Sequence, residues 1–278
     1  MKKISRRSFL AASGLTIAAL ALTACGGSAS TASSAASSVA ASSEAASTSA
    51  AAELTTVEAG KLTMATNAAF PPYEMTTDAG EFEGIDIDTA KAIAEKLGLE
   101  LQIDDMDFDA ALLSVQQGKA DIVMAGVTVT DERKAVMDFS DSYATGIQSI
   151  IVPEGSDIAS PDDLAGKMIG TQRGTTGYIY CSDDFGDDAV VAYDDGLTAV
   201  QALNNGQVDA VVIDNAPAKE YVAANPGLVI LDTSYAEEDY AIGMAKGSAL
   251  EDAVNAALEE LKADGTLQSI VDKYITAE

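Results

Sequence analysis

Two arginines stand out in a chain that has far more acidic than basic residues. Beyond the first 24 residues the only arginines are Arg133 and Arg173, and each follows a predicted strand. A guanidinium group is well suited to bidentate capture of a carboxylate. Thr128 and Thr130 precede Arg133, and a helix predicted to begin at Asp131 would add free backbone N–H groups. The pattern predicts an anion site at Arg133, with a surface ion pair to a neighbouring acid as the alternative; for Arg173 a surface role is equally open.

A second set of polar groups could face this anion site. Residues 174–177 (GTTG) form another donor-rich loop that leads into a predicted helix, and it includes Thr176. Asp214 ends a predicted strand and could accept hydrogen bonds from an ammonium group. A carboxylate site opposite an ammonium acceptor matches a zwitterion, so the sequence predicts an α-amino acid as the ligand.

Composition excludes several other functions. The 278 residues carry 16 Lys and Arg against 44 Asp and Glu, a formal net charge of −28. Such a field repels phosphate backbones, so we expect no nucleic-acid partner. The chain has no His, which excludes Ser-His-Asp and Cys-His catalysis and imidazole metal ligands. We expect no cofactor, no metal site and no enzyme activity, because no second catalytic group stands at a defined spacing.

The first 24 residues have the pattern of an export signal. Four basic residues precede an apolar run from Phe9 to about Ala24, which is shorter than a membrane-spanning helix. Residues 22–25 (LTAC) resemble a lipobox, which implies lipidation of Cys25. Residues 5–10 (SRRSFL) resemble a twin-arginine signal, and the sequence leaves both this route and the general secretory route open.

A tether and a folded region follow the signal. Residues 25–53 are almost entirely Ser, Ala, Thr and Gly, so we expect a disordered tether. As a flexible coil it would span roughly 30 Å. Cys181 would then have no cysteine partner; it is interpreted as a small buried hydrophobic residue, with a reactive thiol as the alternative.

The folded region alternates predicted strands with predicted helices. Such alternation predicts βαβ crossovers, an α/β fold and mostly parallel sheets. Strands are predicted at residues 62–66, 99–103, 121–125, 146–152, 168–171, 190–193 and 209–213, and near Val229 and Ala241. Helices are predicted at residues 86–97, 107–117, 196–205, 249–262 and 266–275, from Thr175 and from Ala216, with a further helix start at residues 160–163.

One pattern occurs twice. Residues 112–126 and 200–214 each read as a helix, a Gly turn and a buried strand, with Gly118 matching Gly206. Any αβ unit has this general pattern, but two related lobes would also produce it. Because ligands sit beyond the carboxyl ends of strands in open parallel sheets, the two units would bring the ends of both strands to opposite walls of one cleft.

Four motifs occur in order along the chain, at residues 70–73 (FPPY), 84–88 (GIDID), 125–133 (AGVTVTDER) and 138–140 (DFS). Together they resemble the family 3 extracellular solute-binding proteins, the polar amino-acid receptors of ABC importers. The resemblance covers about residues 62–275. It implies a two-lobed periplasmic-binding-protein-like fold of type II, each lobe a mostly parallel sheet flanked by helices, joined by two hinge strands.

The resemblance also implies lobe bounds and hinge positions. Lobe one would contain residues 54–147 and 240–278, and lobe two would contain residues 151–231. The two hinge crossings would lie near residues 147–153 and 231–240.

The resemblance further implies which residues contact the ligand. Arg133 would hold the α-carboxylate with Thr128 and Thr176, while Asp214 and the Gly126 carbonyl would hold the α-ammonium. The remaining predicted ligand contacts are Asn67, Phe70, Phe108 and Arg173. Core packing is the alternative for the two phenylalanines. Because Asn67 is neutral, the sequence favours a neutral polar ligand, with an acidic ligand at Arg173 as second choice.

The implied partners are an amino acid, ABC permease subunits and, through the lipid anchor only, the membrane. The protein is expected to be an extracytoplasmic monomer, anchored at the outer face of the cell membrane. A surface sensory lipoprotein and a small-acid dehydratase on the same scaffold are the alternative functions.

Replacing Cys25 tests the predicted anchor. Cys25→Ala removes the only sulfur in the lipobox-like segment, so the protein should stay unprocessed or be released. Membrane fractionation and labelling with a lipid precursor measure this, with Cys181→Ala as the control that keeps the anchor. Equal labelling of the parent and Cys25→Ala would contradict the prediction.

Overall fold

The computed structural model describes residues 54–275. The predicted signal, Cys25 and the tether therefore lie outside the described residues. Within the described range no helix is long and apolar enough to cross a membrane.

The described residues alternate strands and helices. The strands are β1 Lys61–Thr66, β2 Ala69–Phe70, β3 Glu74–Thr76, β4 Phe82–Glu83, β5 Glu100–Asp105, β6 Ile122–Val123, β7 Met137–Phe139, β8 Ala144–Pro153, β9 Ile169–Gln172, β10 Val190–Tyr193, β11 Ala210–Asp214, β12 Leu228–Ile230, β13 Ala236–Tyr240 and β14 Gly243–Ala245. The helices are α1 Ile85–Leu97, α2 Phe108–Gln116, α3 Asp131–Val136, α4 Thr176–Phe185, α5 Gly196–Asn204, α6 Asn215–Ala224, α7 Glu251–Ala263 and α8 Thr266–Tyr274, with 3₁₀ turns at Pro161–Leu164 and Asp187–Ala189.

Two larger sheets form the two lobes. The first has the order β5-β1-β6-β14-β7, and the second has the order β10-β9-β11-β8-β12, with β13 also paired to β8. In each sheet one strand, β14 or β8, runs against all the others. The mostly parallel, two-lobed α/β architecture expected from the sequence is confirmed.

Two strands of the second sheet, β8 and β13, carry the chain from and back to the first sheet. β8 and β13 pair antiparallel, from Ala144 opposite Tyr240 to Gln148 opposite Ala236. Where the two strands pair, one face of the pair is largely buried, so the connection between the lobes is packed against other parts of the structure. The exact bounds of the two lobes stay a prediction.

The repeated helix–Gly–strand unit adopts the same local structure twice. Gly118 and Gly206 have φ values of 65° and 67°, a left-handed conformation that glycine adopts without a Cβ clash. Asp121 then accepts a hydrogen bond from the backbone N–H of Thr63 at 2.8 Å, and Asp209 accepts one from Met168 at 2.8 Å. Each aspartate thus ties its unit to the start of the neighbouring strand.

The structure also contains elements that the sequence did not predict. Strands β2, β3 and β4 form a separate three-stranded antiparallel sheet. Each has only two or three residues, too few to show a period-two pattern. The strand predicted near Ala241 is instead two strands, β13 and β14, on either side of it.

Candidate functional site

A narrow cavity lies where the carboxyl ends of strands from both sheets meet. Its free volume is about 10 Å³, which is room for about one water. Eight of the nine predicted ligand contacts line it, namely Asn67, Phe70, Phe108, Gly126, Thr128, Arg133, Thr176 and Asp214. The other lining residues are Glu74, Ala125, Gln172 and Thr175.

Arg173 is the predicted contact that does not line this cavity. Its side chain is 51% exposed and donates to Asp194 at 3.4 Å and to the Ala192 carbonyl at 3.3 Å. The neighbouring residues explain this position. Because successive side chains of a strand point to opposite faces, Gln172 faces the cavity and Arg173 turns away.

Arg133 lies in α3, on the side of the cavity formed by the first lobe, which we call the first wall. Several contacts hold its side chain in place. The Thr130 hydroxyl caps α3 by accepting from the Arg133 N–H at 3.1 Å. The guanidinium donates to the Thr128 carbonyl at 2.7 Å and to the Gly174 carbonyl at 3.2 Å, and it lies 5.3 Å from the centre of the Phe108 ring. Arg133 is only 8% exposed, and burial lowers the pKa of its side chain.

This arrangement differs from the surface ion pair that the sequence left open. Among the described residues no carboxylate forms a salt bridge with the Arg133 guanidinium, which is bound to carbonyl oxygens instead. Carbonyl oxygens carry only partial charge, so the buried positive charge is not neutralised by a direct partner. An anion entering the cavity would gain from this.

Asp214 is the acidic group on the opposite side of the cavity, formed by the second lobe, which we call the second wall. It ends β11 and directly precedes α6. Its carboxylate accepts from the Gln148 side chain at 2.8 Å and from the Tyr240 hydroxyl. Burial is the main cause that raises the pKa of Asp214 to about 7, and the nearby charge of Glu238 adds to it.

A pair of buried carboxyls lies beside the Gly126 turn. Asp86 accepts from the Gly126 N–H at 2.9 Å and from the Tyr143 hydroxyl at 2.8 Å. Burial raises the pKa of Asp86 to about 6, and burial together with the Asp86 charge raises the pKa of Glu74 well above its usual value. Ionisation of both adjacent buried carboxyls is strongly disfavoured, so Glu74 is held in its neutral form. Neither Glu74 oxygen has a hydrogen-bond partner within the described residues.

The two walls touch each other through polar contacts. Gln172 donates to Asn67 at 2.8 Å, Tyr221 donates to the Ala69 carbonyl at 2.7 Å, and Arg133 reaches Gly174 as described above. These contacts link the segment after β1 and helix α3 with β9, the loop after β9 and helix α6. An amino acid would not fit into the remaining volume, so its entry requires the walls to separate.

Three residues at the site were missed at the sequence level: Glu74, Gln148 and Glu238. The side-chain amide of Gln148 donates to Asp214, and the carboxylate of Glu238 accepts from the hydroxyls of Thr128 and Thr176. Glu238 lies in a run of acids, in which only the alternation of exposed and buried residues along β13 selects it. That alternation could not be read because the acids occupy both faces.

Neither a metal site nor a reactive thiol is found among residues 54–275. No group of three or more Cys, Asp or Glu side chains there could hold a metal ion. Cys181 is buried, and burial raises the pKa of its thiol to about 12. A protonated thiol is a poor nucleophile, which favours the interpretation as a buried hydrophobic residue.

The raised carboxyl pKa values predict an unusual pH dependence of stability. Between the unfolded pKa near 4 and the folded values for Asp86 and Asp214, the folded state binds more protons than the unfolded state. The free energy of unfolding should therefore rise as the pH falls, by about 2–4 kcal/mol from pH 7.5 to 5. Carboxyls with lowered pKa values, such as Asp138 and Asp163, act only at lower pH.

Urea unfolding at these pH values measures the effect. Asp214→Asn should lose roughly half of the pH dependence, whereas Glu95→Gln, a substitution at an exposed position of α1, should keep it. Equal slopes for Asp214→Asn and the parent would contradict the assignment.

Comparison with known proteins finds a matching family and several similar proteins. The pattern of the family described as Bacterial extracellular solute-binding proteins, family 3, matches residues 62–277. The probable histidine-binding protein of Neisseria gonorrhoeae is 34% identical over 223 residues, which cover 77% of this chain and 83% of that protein. The arginine-binding extracellular protein ArtP of Bacillus subtilis (strain 168) is 33% identical over 230 residues, covering 78% and 87%.

Solved structures agree with this. The arginine-, lysine-, histidine-binding protein ArtJ from Geobacillus stearothermophilus aligns with a TM-score of 0.75 and 35% identity, covering 78% of this chain and 96% of that one. An ancestral arginine-binding protein bound to glutamine aligns with a TM-score of 0.75 and 43% identity, covering 78% and 99%.

Proposed function

Because the chain belongs to the bacterial extracellular solute-binding proteins of family 3, we propose that it binds an extracytoplasmic polar α-amino acid in the cleft between its lobes and delivers it to an ABC-type permease. One observation carries the proposal: buried Arg133 and buried Asp214 line the same cavity. A guanidinium and a carboxylate at one cavity suit the two charges of a zwitterion.

The two charged groups have different roles. Arg133 takes the ligand α-carboxylate, because its guanidinium is desolvated and bound only to carbonyl oxygens. Asp214 takes the α-ammonium, together with the carbonyl of Gly126 on the opposite wall. A bound ammonium stabilises the ionised form of Asp214, which burial otherwise disfavours.

The side-chain pocket favours a ligand that donates hydrogen bonds. Once Arg133 and Asp214 are used for the α-groups, Glu74 is the lining residue with an unused carboxyl, beside the amides of Asn67 and Gln172. Arg173, the only basis for an acidic ligand, lies outside. L-Arginine and L-glutamine both carry side-chain N–H donors, and relatives of this chain include structures of ancestral proteins bound to each.

The remaining parts of the proposal concern location and assembly. The protein acts as a monomer, held at the outer face of the membrane by lipid on Cys25 and separated from it by the tether of residues 25–53. The lipobox-like segment and the Ser/Ala composition support this. No feature of the described residues favours the sensory or dehydratase alternatives.

Removing either charged group should abolish detectable binding at micromolar ligand. Arg133→Ala or Asp214→Ala leaves one ligand charge desolvated without a partner, which costs roughly 2–5 kcal/mol. This corresponds to a loss of roughly 30- to 4,000-fold in affinity. Calorimetry with L-arginine and L-glutamine measures it.

Lys134→Ala is the matched control, because Lys134 is the exposed neighbour of Arg133 in α3. Its affinity should change less than about threefold. If Arg133→Ala bound as tightly as the parent, the proposed role of Arg133 would be wrong.

Glu74 is expected to set the preference between a cationic and a neutral side chain. Glu74→Gln keeps the shape of the side chain but cannot ionise, so L-arginine should bind about tenfold or more weakly, the equivalent of ~1.4 kcal/mol. L-Glutamine should change less than about threefold. Glu81→Gln, at an exposed position in the turn before β4, should alter neither affinity. Equal losses for both ligands would refute the role of Glu74.

A further inference from the structure

Glu238 is a buried carboxylate in the second crossing strand, beside the cavity but not among its lining residues. It is 6% exposed, whereas its neighbours Glu237 and Asp239 are exposed. One of its oxygens, Oε2, accepts three hydrogen bonds of 3.0 Å each, from the hydroxyls of Thr128 and Thr176 and from the side-chain amide of Gln148.

The two hydroxyls are the groups of interest, because both line the cavity. We call the hydroxyls of Thr128 and Thr176 the shared donors. Each hydroxyl has only one proton. While that proton is donated to Glu238, neither hydroxyl can donate to a ligand carboxylate, although each can still accept a hydrogen bond.

The charges and dipoles around the Glu238 carboxylate also favour a negatively charged group at this position. Thr176 is the first residue of α4, where the helix dipole favours negative charge. Arg133 supplies a buried positive charge nearby, and the Glu238 charge partly offsets the lowering of the Arg133 pKa by burial. Two hydroxyl donors, a helix N-terminus and a guanidinium are what a ligand α-carboxylate would use.

We infer that Glu238 sets the affinity of the site, because its carboxylate binds the same donors that the ligand α-carboxylate needs. The inference rests on the proposed function. A ligand must take the shared donors from Glu238, which then keeps its bond to Gln148 on the first crossing strand. Breaking the hydrogen bonds to Glu238 offsets part of the free energy gained from the new bonds to the ligand. The affinity is therefore lower than it would be if the donors were unpaired.

The shared donors also connect the two lobes. Thr128 follows β6 of the first sheet, and Thr176 begins α4 after β9 of the second sheet. Glu238 therefore bridges the two walls of the cleft through one oxygen. The ligand carboxylate would make the same bridge, so the exchange replaces an internal bridge by a ligand bridge.

Glu238→Gln tests the inference on the purified full-length protein. Glutamine keeps an acceptor oxygen and the shape of the side chain but loses the charge. The probes are L-arginine and L-glutamine, each compared with its α-amide, which lacks the α-carboxylate. We expect the free amino acid to bind about tenfold more tightly to the variant, the equivalent of ~1.4 kcal/mol. The α-amide keeps one uncharged carbonyl acceptor and has no charged oxygen, so it competes more weakly for the shared donors, and its affinity should change by a clearly smaller factor.

The controls separate competition from structural damage. Glu237→Gln makes the same charge change on the same strand at an exposed position, and it should alter neither affinity. Weaker or unchanged binding of the free amino acids to Glu238→Gln, or equal changes for acid and α-amide, would overturn the inference while the parent still binds. Absence of binding by the parent to any of these probes would instead overturn the proposed function and the inference with it.

A second variant covers the case in which Glu238→Gln does not fold, as judged by thermal unfolding. Thr176→Val removes one shared donor with little change of shape. It should weaken binding of the free amino acid about tenfold and weaken binding of the α-amide by a clearly smaller factor, because the amide carbonyl is an uncharged acceptor. Equal losses for both ligands would contradict the inference.

Discussion

Burial of the Arg133 guanidinium is the constraint on which the rest of the site depends. A desolvated positive charge is costly unless hydrogen bonds and a counter-charge compensate it. Here two backbone carbonyls supply the hydrogen bonds, and an aromatic ring covers one face. The counter-charge at bonding distance is left to the ligand, so binding gains free energy from a group that the fold already holds in place.

The acidic side of the cleft follows the same logic with the opposite sign. Glu74, Asp86 and Asp214 are almost fully buried, and burial raises all three pKa values. The raised pKa values lower the free energy of unfolding near neutral pH, where ionisation of these buried groups is disfavoured. A ligand ammonium or guanidinium stabilises their ionised forms, which couples ligand binding to the protonation of the site.

The two crossing strands do more than connect the lobes. Gln148 on β8 and Glu238 and Tyr240 on β13 all bond to lining residues of the cavity. Because these strands pair antiparallel across the middle of the molecule, any change in the angle between the lobes must also move these side chains. The hinge and the floor of the site are therefore the same structure.

The sequence by itself determined the order of the elements, the two-lobed α/β class and most of the residues that meet at the cavity. These features rest on local signals: amphipathic spacing, glycine turns, and polar residues placed directly after buried strands, as at Thr128 and Asp214. Only the tertiary structure decided which way side chains point at the ends of short strands. Gln172 faces the cavity and Arg173 faces solvent because a strand alternates its side chains, and no local signal gives the phase. Glu74 and Glu238 needed the fold for the same reason: whether a carboxylate is exposed or buried depends on what packs against it from distant parts of the chain.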